Sequence, residues 1–117
     1  MVQQAMTLRE KQSFFAVLVA RLILHAVQEG YAVTLGEAMR SPTEAARLAK
    51  AGKGLAQSLH TSRLAIDLNL FVNGVYQSKT EAYRALGDWW ERQHVLCAWG
   101  GHFGDGNHFS LSHGGKK

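Results

Sequence analysis

Two short segments of the sequence contain residues whose types and spacing suit a metal site. In SLHTSRLAID, His60 precedes an apolar run, and Asp67 lies within that run between Ile66 and Leu68. A carboxylate in a buried strand needs a partner, because an unpaired buried charge is strongly destabilising. A hydrogen-bonded structural aspartate and a metal ligand both meet that need, and this segment alone does not decide between them.

The glycine-rich segment WGGHFGDGNHFSL, residues 99–111, supplies what the first segment lacks. His108 begins a predicted strand and can face the same sheet edge as Asp67. Two histidines and one carboxylate leave a fourth tetrahedral position open, which is the catalytic form of a zinc site. Asp105 lies three residues before His108, near such a metal without being a ligand. A hydrolytic zinc enzyme needs a base there to take a proton from the attacking water.

The other histidines and the single cysteine have simpler interpretations. His25 lies inside a predicted helix, and His94 ends another, where a cation interacts favourably with the helix dipole. Both are interpreted as structural, whereas the role of His102 stays open. Cys97 lies in the apolar segment VLCAW, where its pKa should be raised and the thiol inert. This argues against a cysteine peptidase.

Alternating helices and strands must position these residues. Capping boxes predict three helix starts, at Thr7–Glu10, Ser41–Glu44 and Ser78–Glu81. The first two helices are expected over about residues 8–28 and 42–50. The third is expected to run from the Ser78–Glu81 box to about residue 93. Strands are expected at 31–35, 64–72, VYQ after the Asn73-Gly74 turn, VLCAW and HFSL. The predicted fold class is α+β, with a small, mostly antiparallel sheet and about three helices packed on it.

Length and composition indicate one globular domain over residues 1–117. The chain is 46% hydrophobic and 19% charged, which is typical of a folded protein. With a single cysteine it forms no intrachain disulfide, so its stability does not depend on an oxidising compartment. The apolar segment 14–27 is interrupted by Arg21 and His25 and is too short for a membrane span. No cleavage site follows it, so no export signal is recognised.

The formal charge of +4 suits an acidic partner, such as nucleic acid, an anionic membrane face or a cell-wall polymer. The basic residues form no block with interleaved aromatic side chains. Nucleic-acid binding is therefore not expected.

Taken together, the two segments resemble those of the zinc D-Ala-D-Ala carboxypeptidases and phage L-alanyl-D-glutamate endopeptidases. SLHTSRLAIDLNLF is similar to their Ser-x-His…Ala-x-Asp segment. WGG…DGNHFSL is similar to their second segment, in which an acidic residue lies three positions before a zinc histidine. GEAMRSPTEA resembles their arginine-containing strand-to-helix corner. The likeness therefore extends over roughly residues 35–111.

The resemblance implies a fold like that of the hedgehog signalling domain and a role for each matching residue. The implied zinc ligands are His60, Asp67 and His108. Asp105 would be the catalytic base. Residues implied to bind substrate or support the site are Arg40, Ser58 and His102.

The function implied is that of a phage endolysin, a zinc peptidoglycan peptidase that cuts a stem-peptide amide bond, L-Ala–D-Glu. The alternatives are a D-alanyl-D-alanine carboxypeptidase and a non-catalytic cell-wall-binding or virion structural module. The expected partners are peptidoglycan stem peptides, with no nucleic acid and no stable membrane insertion, and the expected state is a monomer. The expected location is the host bacterial cytoplasm, with access to the wall through a holin.

Overall fold

The computed structural model describes residues 6–52 and 59–117, which form three α-helices and one antiparallel sheet. In chain order the elements are α1 (Leu8–Gln28), β1 (Ala32–Leu35), α2 (Pro42–Lys50), β2 (Ala65–Val72), β3 (Val75–Tyr76), a 3₁₀ turn (Thr80–Tyr83), α3 (Arg84–Gln93), β4 (Cys97–Trp99), a second 3₁₀ turn (Gly100–Phe103) and β5 (His108–Leu111). The predicted α+β class is confirmed. No helix of the described residues has the length and apolar character needed to cross a membrane.

Side-chain caps begin the first two helices, with the full predicted capping box at α1 and only its serine half at α2, where the Glu44 carboxylate accepts from Arg47 instead. At α1, the Thr7 hydroxyl accepts from the Glu10 N–H at 3.2 Å, and the Glu10 carboxylate accepts from the Thr7 N–H at 3.0 Å. At α2, the Ser41 hydroxyl accepts from the Glu44 N–H at 3.0 Å, with Pro42 at the first helical position. These contacts satisfy backbone donors that a helix leaves unpaired at its start.

The predicted capping box at Ser78–Glu81 is wrong. The chain enters a 3₁₀ turn after Lys79, which makes no side-chain cap hydrogen bond, and the α-helix proper begins only at Arg84. The Glu81 carboxylate does not reach back, because it accepts from the Arg84 guanidinium at 2.9 Å. Arg47 takes the Glu44 carboxylate in the same way in α2, so what distinguishes this position is the 3₁₀ start at Lys79, which lacks the side-chain cap that Ser41 supplies.

The sheet has the order β1-β2-β5-β4, with β3 paired to the far end of β2, and every pairing is antiparallel. The β2–β3 hairpin turns at Asn73 and Gly74, with φ of 50° and 78°. Positive φ at both central residues is typical of the type I′ turn that this dipeptide predicts. β2 and β5 are therefore the two inner strands of the main path, and the chemistry-bearing residues lie on them.

The core lies between the sheet and helices α1 and α3. α1 buries Phe15, Leu18, Leu22 and Ala26. The Trp90 indole of α3 contacts the Phe15 ring edge-on at 5.9 Å and donates to the Ser110 carbonyl of β5. Along β2, residues 66, 68 and 70 join this core, whereas 67, 69 and 71 are partly exposed on the opposite face. Asp67 therefore points away from the helices that fill the core.

Candidate metal centre

Asp67 and His108 are direct partners in the β2–β5 ladder. Side chains at opposed positions of neighbouring strands lie on the same face of a sheet. The Asp67 Oδ1 atom consequently lies 3.6 Å from His108 Nδ1. Antiparallel pairing thus brings together two residues that are far apart in the sequence.

His60 completes a group of three potential metal ligands. It lies in the turn that leads into β2, and its side chain is almost fully buried. Its Nε2 atom lies 3.4 Å from Asp67 Oδ1, and its ring centroid lies 5.4 Å from that of His108. One ligand atom from each of the three residues falls within a set no more than 4.8 Å across.

The spacing of these donors fits a tetrahedral metal ion. At metal–ligand distances of 2.0–2.2 Å, two ligands of a tetrahedral zinc lie about 3.3 Å apart. The separations from Asp67 Oδ1, 3.4 Å to His60 and 3.6 Å to His108, are close to that value. Among the described residues, Asp67 Oδ1 is buried and has no hydrogen bond of acceptable geometry. A buried acceptor left this way destabilises the fold, and a cation would satisfy it.

The electrostatics of the centre keep Asp67 ionised. Burial alone would raise the pKa of its carboxyl, but contacts with His108 and His60 outweigh burial and lower the pKa from 3.8 to about 2. At neutral pH the residue is a carboxylate and can bind a cation without first losing a proton.

Asp105 lies beside the three ligands without belonging to the group. Its Oδ2 atom is 4.0 Å from His108 Nδ1, and half of its side chain is exposed. Burial raises the pKa of Asp105, as does the nearby Asp67 carboxylate, although His108 opposes the change. A raised pKa brings a carboxylate closer to the range that suits a general base at neutral pH.

The glycine-rich segment bends closely around His108. A Cβ atom at Gly100 would lie 2.7 Å from the Cβ of His108 and would overlap the Asp105 carbonyl oxygen. The Asp105 N–H donates to the Gly100 carbonyl at 2.9 Å, and Trp99 Nε1 donates to the Gly106 carbonyl at 2.6 Å. Glycine at position 100 therefore lets the segments that carry Asp105 and His108 approach each other.

Glu37 is a site residue that sequence reasoning missed. Its Oε1 atom lies 3.7 Å from His60 Nδ1 and accepts a hydrogen bond from Arg40 Nε at 2.7 Å. Arg40 also reaches the site through its backbone, because its N–H donates to the His60 carbonyl at 3.1 Å. The spacing of Glu37 and Arg40 gave no distinctive signal, since Glu44 and Arg47 in α2 have the same spacing and are exposed.

The other residues singled out from the sequence lie outside the ligand group or outside the described residues. His102 is exposed, and its Nε2 lies 2.8 Å from a Glu91 carboxylate oxygen. His113, which the sequence does not assign to the site, also lies outside the ligand group, and its Nδ1 atom lies 3.0 Å from Lys11 Nζ. Ser58 falls within 53–58, a range that the structure does not describe.

Three further side chains lie outside the ligand group and make contacts within the fold. His25 stacks on Trp89 at 4.5 Å, and His94 Nδ1 accepts from the Leu96 N–H at 3.1 Å. Burial raises the pKa of the Cys97 thiol to about 12, so the thiol remains protonated and unreactive at neutral pH.

A small polar cavity of about 120 Å³ adjoins Asp105. The side chains that line it carry hydroxyl, amide or carboxylate groups: Tyr76, Ser78, Thr80, Tyr83, Asp105 and Asn107. None of the described residues around this cavity is cationic. It suits a group that donates hydrogen bonds rather than an anion.

Comparison with known proteins identifies the family. The family model described as D-alanyl-D-alanine carboxypeptidase matches residues 51–111, just over half of the chain. The chain belongs to this family. As a member of the D-alanyl-D-alanine carboxypeptidase family it is a peptidase and therefore a hydrolase, and the matched segment includes the three potential ligands and Asp105.

A solved structure supports the same fold for this family member. The Serratia marcescens L-Ala D-Glu endopeptidase ChiX is similar over 83% of this chain and 79% of its own, with a TM-score of 0.67 and 24% identity. At that identity the likeness concerns the fold, and it agrees with the predicted architecture. No curated protein sequence matches the chain at a significant level.

Proposed function

We propose that this protein is a zinc-dependent peptidoglycan peptidase that hydrolyses the L-Ala–D-Glu amide bond of the stem peptide. The observation that carries the proposal is the convergence of His60, Asp67 and His108 within 4.8 Å, in a chain of a peptidase family. Two imidazoles and one carboxylate favour zinc over harder divalent cations. The choice of bond rests on the endopeptidase with the similar fold.

Each residue of the centre has a proposed task. Zn²⁺ bound there supplies a Lewis acid that polarises the scissile carbonyl and lowers the pKa of water to about 7. Asp67 contributes a negative donor to the site, and the two histidines contribute neutral nitrogen donors. The Asp105 carboxylate accepts the proton of the attacking water as the new C–O bond forms. It returns that proton to the leaving nitrogen as the C–N bond breaks, so it ends the cycle unchanged.

The remaining proposed roles are supporting ones. Arg40 holds Glu37 and is only slightly exposed, which favours support of the site over direct contact with substrate. His102, exposed within the same glycine-rich segment as Asp105, is the better placed of the two to contact substrate. Ser58 is proposed to support the site by hydrogen bonding.

A D-alanyl-D-alanine carboxypeptidase is the second candidate, because the matching family model has that description. A carboxypeptidase must recognise a free terminal carboxylate, usually with a cationic side chain. The cavity beside Asp105 has no cationic residue among those described, and Glu37 already engages the Arg40 guanidinium. These observations favour a substrate that continues on both sides of the scissile bond.

The proposed setting is phage-mediated lysis, in which a monomeric endolysin of one catalytic domain acts on the host wall after release through a holin. The net charge of +4 supports attraction to an anionic wall polymer. A non-catalytic cell-wall-binding or virion structural module is disfavoured, because such a module has no need of three ligands and an adjacent base.

Digestion of purified Gram-negative peptidoglycan, with products read by mass spectrometry, tests the proposal. The expected result is release of products with a new N-terminal D-Glu. Release of D-alanine alone would assign the carboxypeptidase activity instead. No cleavage by protein that contains zinc would contradict both.

A further inference from the structure

The carboxylate of Glu37 lies on the side of the His60 ring that faces away from the metal donors. The two ring nitrogens of His60 have different neighbours. Nε2 faces Asp67 Oδ1 at 3.4 Å, and Nδ1 faces Glu37 Oε1 at 3.7 Å. The ring therefore lies between the potential metal ligand Asp67 and a second carboxylate that is not part of the ligand group.

Metal binding fixes what each nitrogen must do. A neutral histidine carries its proton on one nitrogen and can bind a metal only through the other. If Nε2 binds the ion, Nδ1 must carry the proton, and a carboxylate facing Nδ1 favours that tautomer and that ring orientation.

We propose that Glu37 is a positioning residue that keeps His60 in the Nδ1–H tautomer with Nε2 directed at the metal. The inference rests on the proposed metal centre and assigns a role to a residue outside the segment matched by the family model. Glu37 itself touches neither substrate nor metal in this role.

The backbone around Glu37 is fixed to two of the three ligands. The Asp67 N–H donates to the Glu37 carbonyl at 2.9 Å, and the Gly36 N–H donates to the Asp67 carbonyl at 2.7 Å. The Arg40 N–H donates to the His60 carbonyl at 3.1 Å. The segment 36–40 thus holds the Glu37 side chain at a defined position relative to both ligands.

Arg40 orients the carboxylate. Its Nε donates to Glu37 Oε1 at 2.7 Å, and its terminal nitrogen forms an ion pair with the same oxygen. Both contacts go to Oε1, the oxygen that faces His60, so the guanidinium holds that oxygen in place and offsets part of its charge. The Arg40 side chain is only 13% exposed, so water screens this pair weakly.

Two substitutions separate the charge of Glu37 from its shape. Glu37→Gln keeps an acceptor oxygen and removes the charge, whereas Glu37→Leu removes both. Loss of an outer partner of a metal-bound histidine lowers metal affinity by about 10–100-fold. We expect Zn²⁺ affinity to fall toward the lower end of that range in the first variant and toward the upper end in the second.

The matched control is Glu44→Gln, which alters an exposed Glu–Arg pair of the same spacing in α2. Zn²⁺ affinity is measured by competition with a chromophoric chelator, and circular dichroism and thermal melting of the metal-free variants report folding. The ¹⁵N chemical shifts of the His60 ring in metal-free protein, at a pH where the ring is neutral, report the tautomer, which a merely structural role of Glu37 would not change.

The expected result is an Nδ1–H His60 in the wild type and in Glu44→Gln, with weakened zinc binding and loss of the single tautomer only in the Glu37 variants. If the wild type binds zinc normally and both Glu37→Gln and Glu37→Leu keep its zinc affinity and its His60 tautomer, the proposed role of Glu37 is overturned and the metal centre is not. Should Glu37→Leu fail to fold, Glu37→Gln decides. A wild type that binds no zinc would contradict the metal centre and this inference with it.

Discussion

Gly100 and His108 pack so closely that a Cβ atom at position 100 would lie 2.7 Å from the Cβ of His108. The backbone at Gly100 has no positive φ, so alanine is excluded by space alone. This contact couples a residue without a functional group to the position of a potential metal ligand.

We expect Gly100→Ala to weaken zinc binding at least tenfold and to destabilise the fold by about 1–3 kcal/mol, as overpacking typically does. Isothermal titration with Zn²⁺ and urea unfolding measure the two effects. Gly104→Ala is the control, because position 104 has space for a Cβ but a φ of 81°. That control should lose about 1–2 kcal/mol of stability with unchanged zinc affinity. Equal zinc affinity in the two variants would show that position 100 does not influence the site.

The purified protein should contain about one zinc ion per chain, and Asp67→Asn should contain much less. Asparagine preserves the shape but offers a neutral oxygen, and the Asp67 carboxylate is the central donor of the group. Elemental analysis gives the ratio. Asp88→Asn, an exposed substitution in α3, should leave the zinc content unchanged. Full activity of the wild type after exhaustive chelation would argue against a metal centre.

Asp105→Asn should retain zinc and lose most of the hydrolysis. The side chain lies beside the ligand group and not within it, so metal binding does not need it. Removal of a general base typically slows a reaction by about 10²–10⁴-fold. Rates on peptidoglycan and zinc content are measured on the same preparations. If activity persists at the wild-type level, another group takes the proton.

The metal-free protein should lose stability as the pH falls from about 4 to about 2. The folded pKa of Asp67 is about 2 and lies below its ordinary value of 3.8, so in this range the unfolded chain binds more protons than the folded one. The contribution of Asp67 to the free energy of unfolding is fully present above about pH 4, and by linkage it amounts to about 2 kcal/mol. Urea unfolding at several pH values measures it. Asp67→Asn should lack this component, and an identical pH dependence in that variant would contradict the assignment.

Cys97 should react with a thiol reagent at pH 8 only when the protein unfolds. Its thiol is buried, and burial raises its pKa from 9.0 to about 12. Above pH 9 the Cys97 thiol ionises in the unfolded chain and stays protonated in the folded one. The free energy of unfolding therefore decreases as the pH rises toward 12. The rate of modification with and without denaturant is the measurement. Rapid modification of the folded protein would show that the thiol is accessible.

Local signals in the sequence predict much of the fold. The capping contacts of α1 and α2 involve residues only three positions apart, so the segments themselves contain the necessary information. At Ser78–Glu81 the same pattern misleads, because the chain enters a 3₁₀ turn after Lys79 and no side chain caps it. The local pattern fails there because it does not specify whether the first turn is α-helical or 3₁₀.

The site depends on contacts between distant segments, and the sequence predicts them less completely. Two predicted strands place Asp67 and His108 in one sheet, but the sequence does not predict that these strands are inner neighbours or that the two residues pair directly, which depends on strand order and register. Glu37 reaches His60 only because the segment after β1 hydrogen-bonds to Asp67. No short pattern encodes that contact, since it depends on how three segments meet in the folded chain.

The ladder position of Asp67 and His108 also bears on how the molecule opens. An ion bound by both residues and by His60 would cross-link the two inner strands, whereas β1 and β4 contribute no donor to the group. Amide hydrogens of β2 and β5 should then exchange with solvent much more slowly in the metal-bound protein than in the metal-free protein, with smaller changes in the outer strands. The free energy needed to separate the two inner strands would therefore increase with metal occupancy of the centre.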